Sequence, residues 1–159
     1  MQCSGIGYDV HRFATGRLLI LGGVDIPHDR GLEGHSDADV LSHSIADAVL
    51  GAMGLNDIGF YFSPDDDSIK GISSLDILKK VRQLAEEKSA IIHNIDSTVI
   101  AEQPKIMPHV KAMKLKISGA LGIEHGRVGI KATTNELMGF LGRGEGIAAM
   151  AVASVELRE

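Results

Sequence analysis

The order of hydrophobic periods along the chain predicts an α+β fold, a two-layer α/β sandwich in which a mixed sheet carries its helices on one face. Two observations predict it. Segments with helical spacing alternate with segments of strand character. The last apolar segment has small and branched residues on both faces, as a central or interface strand does. The length, 159 residues, suits one catalytic domain spanning residues 1–159, with a core large enough to need no staples.

Taken in order, the elements have these grounds. Gly5-Ile6-Gly7-Tyr8-Asp9-Val10-His11 reads as an extended, glycine-rich segment where backbone can be approached closely. Arg17 to Ile26 is rich in Leu, Ile and Val and is interrupted by Gly22-Gly23, which predicts strand pieces joined by a bend. Ser36 to Gly54 reads as a helix. Ser36 and Asp39 match a capping box, Asp37 and Asp39 put negative charge in its first turn, and Val40, Ala46, Val49, Leu50 and Met53 supply the apolar stripe. Ser74 to Lys88 reads as a second helix, with Leu75, Leu78, Val81, Leu84 and Ala85 inward. Ile91 to Ala101 alternates as a half-buried strand does. Ile91, Ile95, Val99 and Ala101 share one face and Asn94, Asp96 and Thr98 the other. Pro108 to Leu121 reads as a third helix stopped by Gly122. Arg127 to Ala132 is a short strand, and Gly146 to Leu157 is the strand apolar on both faces.

Composition limits the function. Sixteen Lys and Arg against 21 Asp and Glu leave a net charge of −5, with no basic excess for a nucleic-acid backbone. Aromatic residues are 4% with no Trp, which weakens any reading based on base stacking. The single cysteine, Cys3, excludes an internal disulfide framework and a cysteine zinc ribbon. No apolar run of about 18 residues predicts a membrane span, and Met1-Gln2-Cys3-Ser4-Gly5 does not resemble a secretory signal. The expectation is a cytoplasmic protein with neither nucleic acid nor membrane as partner.

The residues that could carry chemistry lie in several places. Asp9 and His11, two apart on an extended segment, point to the same face and could be two ligands of a metal, or simply a hydrogen-bonded surface pair. His43 could be a third ligand, or a core histidine beside the apolar stripe. Two histidines and one aspartate leave a position open, as in a catalytic zinc site, and equally fit the triad of an iron(II) oxygenase. His35-Ser36 at the predicted helix start could form an anion site, or Ser36 could be a plain cap. Thr133-Thr134-Asn135-Glu136 could hold phosphate oxygens, with Glu136 on a hard cation such as Mg²⁺, or could be an ordinary helix start. Pro104-Lys105-Ile106-Met107 could read a flat base through backbone amides, or open a helix. Arg143 in its glycine frame could clamp a phosphate or pair with Glu145. Asp57-Ile58-Gly59 and the acidic run Asp65-Asp66-Asp67 could receive sugar hydroxyls, or be solvated loops.

Read together, these stretches carry a resemblance. Gly7-Tyr8-Asp9-Val10-His11-Arg12-Phe13, His35-Ser36-Asp37-Ala38-Asp39-Val40, Pro104-Lys105-Ile106-Met107-Pro108-His109, Lys131-Ala132-Thr133-Thr134-Asn135-Glu136 and Gly139-Phe140-Leu141-Gly142-Arg143-Gly144-Glu145-Gly146 occur in that order. Together they resemble the 2-C-methyl-D-erythritol 2,4-cyclodiphosphate synthases over essentially the whole chain. The resemblance implies a homotrimeric lyase of the non-mevalonate route to isoprenoid precursors. Its cytidine diphosphate substrate, 4-diphosphocytidyl-2-C-methyl-D-erythritol 2-phosphate, would cyclise with loss of CMP. It also implies zinc on Asp9, His11 and His43, and Mg²⁺ or Mn²⁺ on Glu136 and the substrate phosphates. His35 and Thr134 would stabilise the transition state. Ala101, Pro104, Lys105, Ile106, Met107, Ala132 and Thr133 would form the cytidine-phosphate pocket, and Asp57, Ile58 and Gly59 would meet the erythritol. Val10, Ser36, Phe62, Asp66, Asn135, Phe140 and Arg143 complete the substrate-binding set it implies. This chain departs from the family pattern at Asn56 and through Phe62-Ser63-Pro64-Asp65-Asp66. The readings outside this family are an iron(II) oxygenase and a nucleotide-binding module without turnover.

Overall fold

A computed structural model of the chain describes residues 1–63 and 70–158. A 13-residue strand, β1 (Gln2–Ala14), is followed by the short strands β2 (Leu19–Leu21), β3 (Val24–Ile26) and β4 (Gly31–Leu32). The helices α1 (Val40–Ala52), α2 (Ile58–Tyr61) and α3 (Ser74–Glu87) come next. Strand β5 (Ala90–Ile100), a 3₁₀ turn, helix α4 (Val110–Leu121), a second 3₁₀ turn and β6 (Val128–Thr133) lead to the one-turn α5 (Gly139–Gly142) and to β7 (Gly146–Leu157). The main sheet has the order β4-β1-β7-β5-β6; β5 and β6 are parallel and the other pairs antiparallel, so the sheet is mixed. The β2–β3 hairpin stands apart from it.

All three long helices lie on one face, α1 over β1 and β7, α3 beside β5 and α4 beside β6. This is the predicted α+β layering. Strand β7 is central, as its two-sided apolar pattern requires. Helix α1 is buried almost all round, including Leu41, Ile45 and Leu50, because α3, α2 and the hairpin flank it. Leu78, Met113, Ile117, Ile95 and Ile147 continue the core beneath the other helices. Burying each such side chain favours folding by about 1.5–3 kcal/mol.

Three boundaries differ from expectation. Helix α1 begins at Val40, not Ser36, because Ala38 has a left-handed φ of 56° that no helix can pass through. Its cap is Asp39, whose side chain accepts from Ser42 N–H. Ser36 Oγ instead accepts from Ala38 N–H in a local turn. In β5 the pairing register with β7 shifts between Ile92 and Asn94, and this irregularity changes which side chains face the core. Ile92, Ile95, Ser97 and Val99 are buried, while Ile91 is only half-buried and leaves the predicted inward set. The third helix opens as a 3₁₀ turn, Met107–His109, before α4 proper, and ends at Gly122 with φ 69° as expected.

Along β1, Cys3, Gly5, Gly7, Asp9 and His11 face the helices, while Ile6, Tyr8 and Val10 are exposed on the open face of the sheet. The glycines are needed for the approach of α1. A Cβ on Gly7 would lie 1.9 Å from the Ser44 carbonyl oxygen, and one on Gly5 would lie 2.1 Å from that of Ala48. Backbone atoms cannot turn aside as a flexible side chain can. Gly7→Ala is therefore expected to cost about 3 kcal/mol, at the top of the range for overpacking. Gly119→Ala, on the exposed side of α4 with nothing within 4 Å, should instead gain up to about 1 kcal/mol from helix propensity. Urea midpoints of the two variants test this; a wild-type midpoint for Gly7→Ala would show that the contact does not constrain the fold.

Candidate functional site

The helix-facing side of β1 ends in Asp9 and His11, and the first turn of α1 places His43 over them. His11 Nε2 and His43 Nδ1 each lie 3.1 Å from Asp9 Oδ2. The two rings meet edge to face, 5.8 Å apart at 62°. One ligand atom from each residue falls within 4.8 Å of the others. The donors of a tetrahedral zinc site, with bonds of about 2.0–2.1 Å, stand about 3.3 Å apart, so this spacing fits one. The hydrogen bond on the far side of His11 agrees. Nδ1 meets the Glu33 carbonyl oxygen, which can only accept, so Nδ1 carries the proton. The Nε2 lone pair then faces the Asp9 carboxylate, and two acceptors at that distance need a proton or a cation with them.

The electrostatics match. Burial alone would raise the Asp9 carboxyl, but where protons rather than a cation lie between it and the rings, hydrogen bonds and charge attraction from His11 and His43 outweigh burial and hold Asp9 well below the usual carboxylate range. The Asp9 hydrogen bond in turn raises His11, against burial and the charge of Arg17. His43 is 6% exposed, as a core residue is, and its ring reaches Asp9, as a third ligand would have to.

The loop before α1 is fixed from several directions. Asp39, fully buried, accepts from Gly22 N–H, Gly23 N–H, Ser42 N–H and Ser42 Oγ, which ties the hairpin turn to the start of the helix. Burial pushes its carboxyl up, against those donors. The expected anion site at the helix start is thus filled by the protein's own carboxylate. His35 and Ser36 lie outside the helix, in the preceding loop. Arg17 holds this loop by donating to the carbonyls of Gly34 and Ser36, at 2.7 and 2.6 Å. The His35 carbonyl accepts from Gly71 N–H. Ser36 Oγ lies 3.3 Å from His43 Nε2, next to the Asp9 cluster.

A second group of candidates gathers elsewhere. Ala101, Pro104, Lys105, Ile106, Met107, Ala132, Thr133 and Thr134 line one cleft of about 400 Å³ at the ends of β5 and β6. Glu102 fixes the turn beside it, accepting from Asn135 N–H at 2.8 Å and Leu137 N–H at 3.4 Å. Thr134 Oγ1 lies 3.3 Å from Glu136 Oε1 and from Glu136 N. Glu136 and Leu137 have left-handed φ, so this stretch is a turn and not the helix start that was one reading of it. Glu136 does not join the Asp9 cluster. In register, Asp9 and Val99 both face Ala149, so the cluster and the cleft open at the same end of the sheet. Across the sheet β5 lies two strands from β1 and β6 three, about 10–14 Å.

Asp57 caps α2, and the N–H of Ile58 donates to Asp47, one turn beyond His43 on α1. Gly59 lies within α2, and Phe62 at its end packs on the core. Val10 contributes backbone only, its N–H donating to Asp9 Oδ1; its side chain is on the open face. Phe140 begins the approach to Arg143, whose Nε donates to Glu145 Oε1 at 2.7 Å, the pairing alternative for that loop. Asp66 lies outside the described residues. Arg17 and Asp47 escaped sequence reasoning because they act through backbone groups distant in sequence, and no local spacing marks such partners.

Comparison with known proteins agrees with this arrangement. The sequence pattern of the YgbB family matches residues 3–156. The 2-C-methyl-D-erythritol 2,4-cyclodiphosphate synthase of Akkermansia muciniphila is 59% identical over 157 residues, covering 98% of this chain and 93% of its own. That of Alkaliphilus metalliredigens is 56% identical over 151 residues, 95% of each chain. Among solved structures, the bifunctional IspDF from Campylobacter jejuni superposes with a TM-score of 0.95 at 39% identity; all of this chain is covered, and it spans 43% of that longer protein. The IspF–CDP complex of Plasmodium falciparum gives 0.86 at 33% identity, covering 99% of this chain and 97% of that one. The chain belongs to the YgbB family, that of the 2-C-methyl-D-erythritol 2,4-cyclodiphosphate synthases.

Proposed function

We propose that this chain, residues 1–159 acting as one catalytic unit, converts 4-diphosphocytidyl-2-C-methyl-D-erythritol 2-phosphate into 2-C-methyl-D-erythritol 2,4-cyclodiphosphate and CMP. The observation that carries the reading is the convergence of Asp9, His11 and His43 in a chain of this family. In the reaction an oxygen of the 2-phosphate bonds to the β-phosphorus. The bond from that phosphorus to the bridging oxygen breaks, and CMP leaves with the oxygen. The step is an intramolecular phosphoryl transfer without water, a lyase reaction that asks mainly for positioning and charge neutralisation.

Asp9, His11 and His43 would hold zinc, and Glu136 with the substrate phosphates would hold Mg²⁺ or Mn²⁺. When bound, these cations supply neutralisation and orientation of the diphosphate oxygens. Amides of Pro104 to Met107 read the cytosine edge, with Ala101, Ala132 and Thr133 around the nucleoside and Lys105 against phosphate. His35 and Thr134 stabilise charge that develops in transfer, and Ser36 and Asn135 add polar contacts to the phosphates. Asp57, Ile58 and Gly59, with Phe62 and Asp66, receive the erythritol, while Phe140 and Arg143 close the substrate-facing side. No separate nucleophilic side chain is required.

A homotrimer accounts for two features of the single chain. Ile6 pairs with Val152 and Tyr8 with Met150 across β1 and β7, which leaves an exposed apolar strip on the open sheet face. The cation cluster and the nucleotide cleft are also several strands apart on one chain, and a neighbouring copy can bring them to one substrate. A cytoplasmic location fits a metabolic enzyme of this kind. Among the described residues, no helix is long and apolar enough to cross a membrane.

Four outcomes are expected. His43→Ala should lose zinc and nearly all CMP release yet stay folded. Glu136→Gln should keep zinc, lose turnover and change its Mg²⁺ dependence. Elemental analysis beside a CMP-release assay decides, and full zinc with normal turnover in His43→Ala would refute the assignment. In melting curves CDP should stabilise the protein more than UDP or ADP, by about 2.7 kcal/mol at 100 times its dissociation constant; equal shifts would argue against a cytosine pocket. Light scattering should give about three times the 16.9 kDa chain mass, and a stable monomer would overturn the trimer.

A further inference from the structure

His43 meets Asp9 through Nδ1, and its other ring nitrogen points away from that cluster into a buried polar pocket. There Nε2 lies 3.0 Å from Ser74 Oγ, in the first turn of α3, and 3.3 Å from Ser36 Oγ. Ser74 is fully buried. Its hydroxyl is hydrogen-bonded to Asp37 Oδ1, and its backbone N–H donates to Asp37 Oδ2 at 2.8 Å. A carboxylate only accepts, so the one hydroxyl proton of Ser74 goes to Asp37. That leaves Ser74 Oγ with lone pairs toward His43. Nε2 must then be the donor, and the Nδ1 lone pair must face Asp9.

We infer that Ser74 and Asp37 are positioning residues that fix the tautomer of His43, holding its proton on Nε2 and presenting Nδ1 to a metal ion. The chain of hydrogen bonds runs from Asp37 through Ser74 to His43, and every polarity along it follows from the carboxylate at one end. It is the counterpart of the Glu33 carbonyl on His11. Outer partners of this kind orient a ligand ring and raise its basicity, and their loss commonly lowers metal affinity by 10–100-fold. The same bonds leave Ser36 free of this task, so its hydroxyl proton can turn toward a bound phosphate. They also pin the loop, since Asp37 N–H meets the Ile72 carbonyl and Gly71 N–H that of His35. The inference rests on the reading of Asp9, His11 and His43 as metal ligands.

The test uses zinc itself, titrated into chelator-stripped full-length protein against a competing dye. Ser74→Ala keeps the backbone N–H to Asp37 and removes only the hydroxyl; zinc affinity should fall at least about tenfold. Asp37→Asn is nearly isosteric. Its oxygen must stay on the Ser74 N–H, so its amide donates to Ser74 Oγ and the hydroxyl proton turns to His43. The tautomer inverts, and zinc affinity should fall as far; because Asp39 N–H also donates to Asp37 Oδ1, at 3.3 Å, the melting temperature of the stripped protein falls in this variant, so Ser74→Ala, which keeps that bond, separates loss of zinc from loss of stability. Histidine ¹⁵N spectra of the zinc-loaded wild type should show His43 protonated on Nε2. A proton on Nδ1, or affinities within twofold of wild type in both variants, would overturn the inference while leaving the metal site standing. A wild type that bound no zinc would overturn the site and this inference with it.

Discussion

The contact between the glycine side of β1 and the helix α1 sets the geometry on which everything else depends. Gly5 and Gly7 let the helix backbone come within a distance that any side chain would forbid. That distance, carried one step further along both elements, brings His43 to Asp9 and His11. A helix displaced by the width of a methyl group would lose part of the packing that buries α1 almost all round. It would no longer bring three ligand atoms to one point. Site precision therefore rests on the absence of atoms at two positions more than on any attraction.

Asp39 does for the loop what the glycines do for the helix. Four donors converge on one carboxylate in the core, so the hairpin turn and the helix start cannot shift independently. A buried carboxylate without such partners would be costly, and with them it is a point of registration. Arg17 completes the frame from the other side through two carbonyls. The chemistry-bearing loop is thus held by the side chains of Arg17, Asp37 and Asp39 as well as by backbone contacts, and Ser36 Oγ, which accepts from Ala38 N–H, still lies beside His43.

Much of this was legible beforehand, for reasons that differ by residue. The period-two spacing of Asp9 and His11, the three long helices and the central place of the last strand follow from local pattern, which local sequence carries. The start of α1 was misplaced because Ser36-x-x-Asp39 satisfies the capping-box rule, while the left-handed Ala38 between them depends on tertiary contacts. The outward turn of Ile91 was hidden because an irregular pairing has no signature in one strand alone. Asp47 and Arg17 were silent for a related reason, since each serves backbone groups that approach only after folding. The family resemblance supplied what pattern could not, the grouping of distant stretches into one site.

The alternation along β1 has a further consequence. Its odd-numbered residues answer to the chain's own helix and to the Asp9, His11 and His43 group, and its even-numbered ones to whatever covers the open face. One strand is therefore two texts interleaved, each readable without the other. Drift or redesign at Ile6, Tyr8 and Val10 changes what covers the open face and leaves the helix contact on the other side intact. The odd letters have less freedom, because Gly5 and Gly7 meet the backbone of α1 while Asp9 and His11 meet His43 and Glu33.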